Sequence, residues 1–253
     1  MPGRSFFLFG PRGTGKTTWL RQKLPHAQWF NLLDTRLALE MIRDPGTLYR
    51  LLAAQKEPTW VVLDEIQKVP ALLDEVQRLL DRPDNPLRFA LTGSSARKLR
   101  RGSANLLAGR ALTRRFFPFT VHEMAEEFEL DRALASGTLP GIWASPADAD
   151  DLLLAYSDTF LQEEVREEAL VRDIGSFARF LRVAALMNGQ SPNLSSISRD
   201  VGASRMTVER YFEVLNDTLV GAWLPAWRPR AKVKEASSPK FYLFDPGVAR
   251  ALA

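Results

Sequence analysis

Apolar residues in the first half of the chain fall into short blocks separated by helical stripes. Residues 5–9, 28–33, 59–63 and 87–92 are the segments read as strands, and in the first of them Phe6 to Phe9 run unbroken, without the in-out alternation of a strand with one wet face. Unbroken runs of this length fit strands of a parallel sheet covered on both sides. Residues 111–117 predict a fifth strand. Between the blocks lie a helix over Lys16–Lys23, a helical stretch over 35–55 broken at Asp44-Pro45-Gly46, and a helix opened by Pro70. Proline is favoured at a helix's first position, and Leu72, Leu73, Val76, Leu79 and Leu80 give this last helix an apolar stripe. Strands alternating with helices predict the α/β class with a parallel five-stranded sheet. From 121 to 187 the pattern is helical, broken at Gly137–Gly141 and Ser145-Pro146. A further helix spans 194–201, and a tight turn at Gly202-Ala203-Ser204 leads to another ending at Leu215. A hairpin follows, with arms Val220–Trp227 and Phe241–Phe244, in which Trp223 and Trp227 alternate as core residues would. Three regions are expected: 1–120, 121–187 and 188–253.

The first strand runs into Gly10-Pro11-Arg12-Gly13-Thr14-Gly15-Lys16-Thr17-Thr18, a full match to GxxxxGK[ST] between a strand and a helix. Glycines let backbone N–H groups turn inward around phosphate oxygens, and the helix offers its positive N-terminus to the same anion. Lys16 is expected to reach the β- and γ-phosphates, and Thr17 to give its hydroxyl to Mg²⁺. Arg12 is either a further phosphate contact or a solvated side chain. The third strand ends in Asp64-Glu65. In this setting Asp64 is expected to hold Mg²⁺ and Glu65 to orient or deprotonate the attacking water. That adjacent glutamate favours hydrolysis over transfer to another acceptor. No N/TKxD segment is present, so ATP is expected rather than a guanine nucleotide. Strand four ends in Thr92-Gly93-Ser94-Ser95. Thr92 or Ser94 is expected either to touch the γ-phosphate or the water, or to cap the next helix. Arg110 precedes strand five, as an arginine finger or as one member of a basic block.

Composition narrows the chemistry. The 253 residues include no cysteine, which excludes disulfide scaffolds, cysteine-zinc sites and thiol catalysis. The two histidines, His26 and His122, argue against serine–histidine hydrolysis and multi-histidine metal sites. No apolar run approaches the ~20 residues of a membrane span, and a cytoplasmic protein with no membrane partner is expected. The net charge of +4 conceals a segregation: residues 87–120 carry 8 basic and no acidic side chains, and residues 121–185 carry 5 basic and 14 acidic. Such a block speaks of partners rather than of fold, although it also suits packing against the acidic stretch.

The segments GPRGTGKTT, VVLDEIQKVP, LTGSSARKL and LLAGR with FPFT just after resemble the prokaryotic AAA-like P-loop ATPases that carry a C-terminal winged-helix region. GTLPGIW, NLSSISRDVGASRMTVERYFEVL and SPKFYLFDPGVA extend the likeness over nearly the whole chain. The resemblance implies a five-stranded core of AAA-like strand order. It assigns Lys16 and Thr17 to phosphate and Mg²⁺, Asp64 and Glu65 to the Walker B pair, and Thr92 or Ser94 to the sensor. It also implies a short helical segment before strand one and a nuclease-like module beyond the winged helix. Neither is seen in this sequence, and nuclease activity is not carried over.

The 194–215 segment has helix-turn-helix spacing. Arg205, Thr207 and Arg210 lie outward on its second helix, where a recognition helix meets DNA. Arg228, Arg230, Lys232 and Lys234 crowd the hairpin tip, as in a wing that touches phosphates. Glu209 and Glu213 on the same helix oppose DNA, and such folds also serve as lids or protein contacts. The function expected is Mg²⁺-dependent ATP binding with slow hydrolysis, used as a conformational switch, with duplex DNA and self-association as partners. The alternative is a DNA-binding winged-helix regulator whose nucleotide site is mainly structural. A small-molecule kinase fits less well, because the helical region that would have to close over the phosphates is acidic.

Overall fold

A computed structural model describes residues 3–94, 99, 107–159, 173–227 and 238–253. Contacts gather into two units, Met1–Phe116 and Phe117–Ala253. In the first, strands β1 (Phe6–Phe9), β2 (Gln28–Asn31), β3 (Thr59–Asp64), β4 (Leu87–Gly93) and β5 (Leu112–Arg115) form one sheet in the order β2-β3-β4-β1-β5. All four pairings are parallel, with Phe6 opposite both Ala90 and Leu112. This is the α/β architecture that the alternating pattern predicts. Central strands are sealed on both faces: every residue of β1 is buried, as are Val61, Val62, Leu63, Phe89, Ala90 and Leu91. That is why their sequences do not alternate. Edge strand β5 carries exposed Arg114 and Arg115 instead, side chains that discourage pairing with another sheet.

Helix α1 (Lys16–Lys23) follows β1. The stretch over 35–55 divides at Asp44-Pro45 into α2 (Thr35–Arg43) and α3 (Gly46–Leu52). Helix α4 (Leu72–Leu80) buries Leu72, Leu73, Val76 and Leu79. Two edges differ from the periodicity. Strand β2 stops at Asn31, because the Asn31 side chain accepts from Leu33 N–H and turns the chain toward Asp34, whose carboxylate caps α2. A 3₁₀ turn over Ile66–Lys68 intervenes before α4.

The second unit holds α5 (Val121–Met124), α6 (Leu130–Ser136), α7 (Pro140–Trp143), α8 (Ala149–Thr159) and α9 (Ile174–Leu186). It continues with α10 (Leu194–Val201), α11 (Arg205–Asp217), the antiparallel ribbon of β6 (Gly221–Leu224) and β7 (Lys240–Leu243), and α12 (Pro246–Leu252). Gly202, at φ 70°, ends α10 in the left-handed conformation, and the Ser204 hydroxyl accepts from Thr207 N–H to start α11. A ring cluster of Phe177, Phe180, Tyr211, Phe212, Trp223 and Phe241 fills the core beneath them, several pairs meeting edge to face. Trp227 corrects the reading that paired it with Trp223: β6 ends at Leu224, before Pro225, which has no N–H for the ladder, and Trp227 is 87% exposed. Arg228, Arg230, Lys232 and Lys234 lie outside the described residues.

Asp245 ties this unit together. Its carboxylate accepts from Val248 N–H at 3.0 Å, capping α12, and from Thr138 N–H at 2.7 Å in the turn between α6 and α7. Gly137, at φ 73°, and Gly247 leave no room for a Cβ at this crossing. Burial pushes the Asp245 carboxyl above the usual carboxylate range, against the pull of its amide donors. Asp245→Ala strands a donor at the crossing, at about 1–3 kcal/mol when such a group is buried. The expected outcome is a lower urea midpoint for unfolding of this unit; an unchanged midpoint would show that water replaces the carboxylate freely.

Candidate functional site

The phosphate loop is built where β1 leaves the sheet. Gly10 passes so close to the Phe116 carbonyl that a Cβ has no space there, and Gly10 N–H donates to Gly93 O at 3.3 Å. Gly13 and Gly15 take φ of 72° and 91°, a region costly for side chains bearing a Cβ. Thr14 Oγ1 closes the loop by donating to Pro11 O at 2.9 Å. Lys16 is only 6% exposed, and its Nζ donates to Gly10 O at 2.7 Å and Pro11 O at 2.9 Å. Gly15 gives α1 no side-chain cap, so first-turn amides remain for an anion. Arg12 is half-buried and Thr18 exposed.

The end of β3 meets this loop. Thr17 Oγ1 donates to both oxygens of Asp64, at 3.0 and 3.2 Å. Thr92, at the end of neighbouring β4 and fully buried, donates to Asp64 Oδ1 and accepts from Glu65 N–H at 3.0 Å. One hydroxyl thus fixes both members of the acidic pair. Glu65 turns out of the sheet at φ 62° and ψ 49°, a left-handed backbone that few non-glycine residues adopt. Its Oε2 accepts from Gln67 Nε2. Ser94 is buried one step beyond Gly93. The fold therefore brings Lys16, Thr17, Asp64, Glu65 and Thr92 to one edge of the sheet.

Mg²⁺ binds through one or two carboxylates plus substrate phosphates and water. The Thr17 hydroxyl converging on the buried Asp64 carboxylate suits that donor set. Gln67 is the residue that sequence reasoning left without a role; its only signal was its place two residues after the pair. Arg110 is engaged elsewhere in its own chain: its guanidinium donates through Nε and Nη2 to the two oxygens of Asp81. That bond holds the Asp81 carboxyl below its usual range and the Arg110 guanidinium above its own. On α11, Arg205 and Arg210 are exposed, Arg205 pairs with Glu209 at 3.1 Å, and Thr207 packs into the Ser204 cap.

Comparison with known proteins assigns the two halves of the chain to two families. Residues 3–125 match the family described as AAA domain, and residues 127–253 match the Domain of unknown function (DUF8612). The chain belongs to this second family, whose model covers just over half of it, and residues 3–125 are an AAA domain of the P-loop kind. Uncharacterized proteins of Mycobacterium bovis and Mycobacterium tuberculosis are each 28% identical over 97% of this chain. The chain spans about half the length of these curated relatives, 55% of each. Among solved structures, the Aeropyrum pernix ORC1 protein in complex with DNA aligns with all of this chain and 87% of its own, at 16% identity and a TM-score of 0.36. A Thermotoga maritima RuvB variant aligns over 88% of this chain and 82% of its own, at 17% identity and a TM-score of 0.42. The AAA domain, with the loop it carries, makes this an ATP-binding P-loop protein. No helix among the described residues is long and apolar enough to cross a membrane.

Proposed function

We propose that this protein binds ATP with Mg²⁺ and hydrolyses it slowly, the change of nucleotide state serving as a conformational switch. The observation that carries this reading is the Thr92 hydroxyl set between the Asp64 carboxylate and the Glu65 amide, with Thr17 on the other side of Asp64. The backbone amides of residues 12–17 and the Lys16 ammonium bind and orient the phosphates. Thr17 Oγ1 and Asp64 are the residues to hold Mg²⁺, whose charge offsets that of the phosphate oxygens when it is bound. Glu65 orients the attacking water and takes its proton on a carboxylate oxygen. Thr92 holds Asp64 and Glu65 in register, while buried Ser94 is placed to follow the nucleotide. For Arg110 to act as a finger on a neighbouring copy's nucleotide, its guanidinium must exchange Asp81 for phosphate. Self-association is therefore part of the proposal.

Duplex DNA is the partner proposed for the second unit. Support comes from a helix-turn-helix followed by a two-stranded ribbon, which together have the elements of a winged helix, and from exposed Arg205 and Arg210. The test is ATP turnover with Mg²⁺ or with a chelator, alongside duplex titrations across a salt series. Turnover is expected only with Mg²⁺. Duplex affinity is expected to fall with salt at a log–log slope of about −0.9 per phosphate neutralised, and charge reversal at Lys232 and Lys234 should flatten that slope. Bound nucleotide without turnover would mark instead a DNA-binding regulator with a mainly structural nucleotide site. No saturable signal at low salt would remove DNA from the reading.

A further inference from the structure

Gln67 is placed in a way that stability does not explain. The chain leaves β3 at Asp64, Glu65 takes its left-handed turn, and the 3₁₀ turn over Ile66–Lys68 brings the Gln67 side chain back beside Glu65. Gln67 Nε2 donates to Glu65 Oε2. The side chain is 8% exposed, and its Oε1 is buried with no hydrogen-bond partner among the described residues. Across from it stands Gly93, next to Thr92 in β4. A Cβ on Gly93 would come within 2.5 Å of Gln67 Oε1, so the missing side chain at 93 makes the room that the carboxamide occupies.

An unmatched buried carbonyl is a cost that folded proteins rarely carry. A leucine or methionine would fill the same volume without it. A local rule broken at such a place is expected where function requires it. What the carboxamide offers is its N–H, and that N–H is on Glu65. We propose that Gln67 is a positioning residue for ATP hydrolysis, fixing one oxygen of the Glu65 carboxylate so that the other faces the attacking water, with Gly93 as the space that makes this possible. The proposal rests on the reading of Glu65 as the residue that orients the water. In this proposal Gln67 acts through Glu65 alone. It should therefore govern the chemical step and leave nucleotide binding alone.

Four variants test this by steady-state turnover and ADP affinity: Gln67→Met, Gly93→Ala, Glu65→Gln, and the double variant Glu65→Gln with Gln67→Met. A misplacement of about 1 Å in a reacting group costs roughly 10²-fold in rate. Gln67→Met is expected to lower kcat about 10- to 100-fold with KM for ATP and ADP affinity unchanged. Gly93→Ala displaces the carboxamide from the opposite side, with Gln67 intact, and is expected to lower kcat in the same way. In the Glu65→Gln background, Gln67→Met should have no further effect, because groups that act as a unit are not additive. Wild-type kcat in folded Gln67→Met overturns the proposal, and so does a further drop of the full single-variant size in the double variant. If Gln67→Met does not fold, Gly93→Ala decides on the same kcat and KM split. Turnover by Glu65→Gln at the wild-type rate overturns the reading of Glu65 and this proposal with it. An inactive Glu65→Gln beside fully active Gln67→Met overturns this proposal alone. No turnover in the wild type overturns both.

Discussion

Lys16→Ala is expected to abolish measurable ATP binding while the protein still unfolds cooperatively. The ammonium sits almost wholly buried inside the loop, held by the carbonyls of Gly10 and Pro11. It thus meets phosphate already desolvated and already aimed. Truncating one partner of a buried, hydrogen-bonded charge pair costs about 2–5 kcal/mol of binding, or roughly 30-fold to several thousand-fold in Kd. Loss of folding should be smaller. Burying an ammonium is itself unfavourable, so its removal offsets part of what the two carbonyls lose, and the loop's positive-φ glycines and the Thr14 bond to Pro11 remain. Isothermal titration with ATP and ADP, paired with a thermal melt, checks both halves. Wild-type affinity in folded Lys16→Ala would sink the phosphate-loop assignment.

Glu65→Gln is expected to separate binding from chemistry. The two side chains have nearly the same shape, and the substituted amide oxygen can still accept from Gln67 Nε2. The backbone N–H at 65 keeps its bond to Thr92, so Asp64 and Thr17 stay in place. What goes is the basic oxygen. General base catalysis contributes about 10²–10⁴-fold, and kcat should fall by that order while ATP affinity changes by less than about 3-fold, under 1 kcal/mol. A filter assay is expected to find unhydrolysed ATP retained in the presence of Mg²⁺. Hydrolysis at the wild-type rate would reduce Glu65 to the residue that turns the chain into the 3₁₀ segment.

Part of this site could be read from sequence because part of it is local. The phosphate loop is nine consecutive residues with fixed spacing, and the strand and helix around it follow from apolar runs of the right length. Asp64 and Glu65 were visible because they end such a run. Thr92 was visible only as one of two polar candidates, since choosing between it and Ser94 needs the parallel register that sets β4 beside β3. Gln67 had no signature beyond its place two residues after the pair: the role proposed for it depends on a left-handed backbone at Glu65, which no propensity foretells, and on empty space at Gly93, 26 positions later. The same holds for Asp245, whose partner at Thr138 lies 107 residues away. Trp227 was misplaced because alternation was followed past Pro225, where the ladder had already lost its donor. Helix α12 was not anticipated, although Asp245 followed by Pro246 is a capped start with proline at the first turn.

The order of the sheet also bears on how the protein is made. Strand β1 precedes the other strands of its sheet along the chain, yet both its neighbours come late: Phe6 pairs with Ala90 and with Leu112, and Phe89 N–H donates to Ser5 Oγ across 84 residues. The partners that shape the loop's entry, Gly93 and Phe116, come more than eighty residues after it in the chain. Synthesis proceeds at about 5–20 residues per second, so a nascent chain carries its hydrophobic first strand unpaired for several seconds before the phosphate cradle can close. Closing loops of this length is slow compared with forming α1 or α4. A chain that ends before β4 therefore holds neither of the strands that pair with Phe6, Phe7 and Phe9 in the finished sheet.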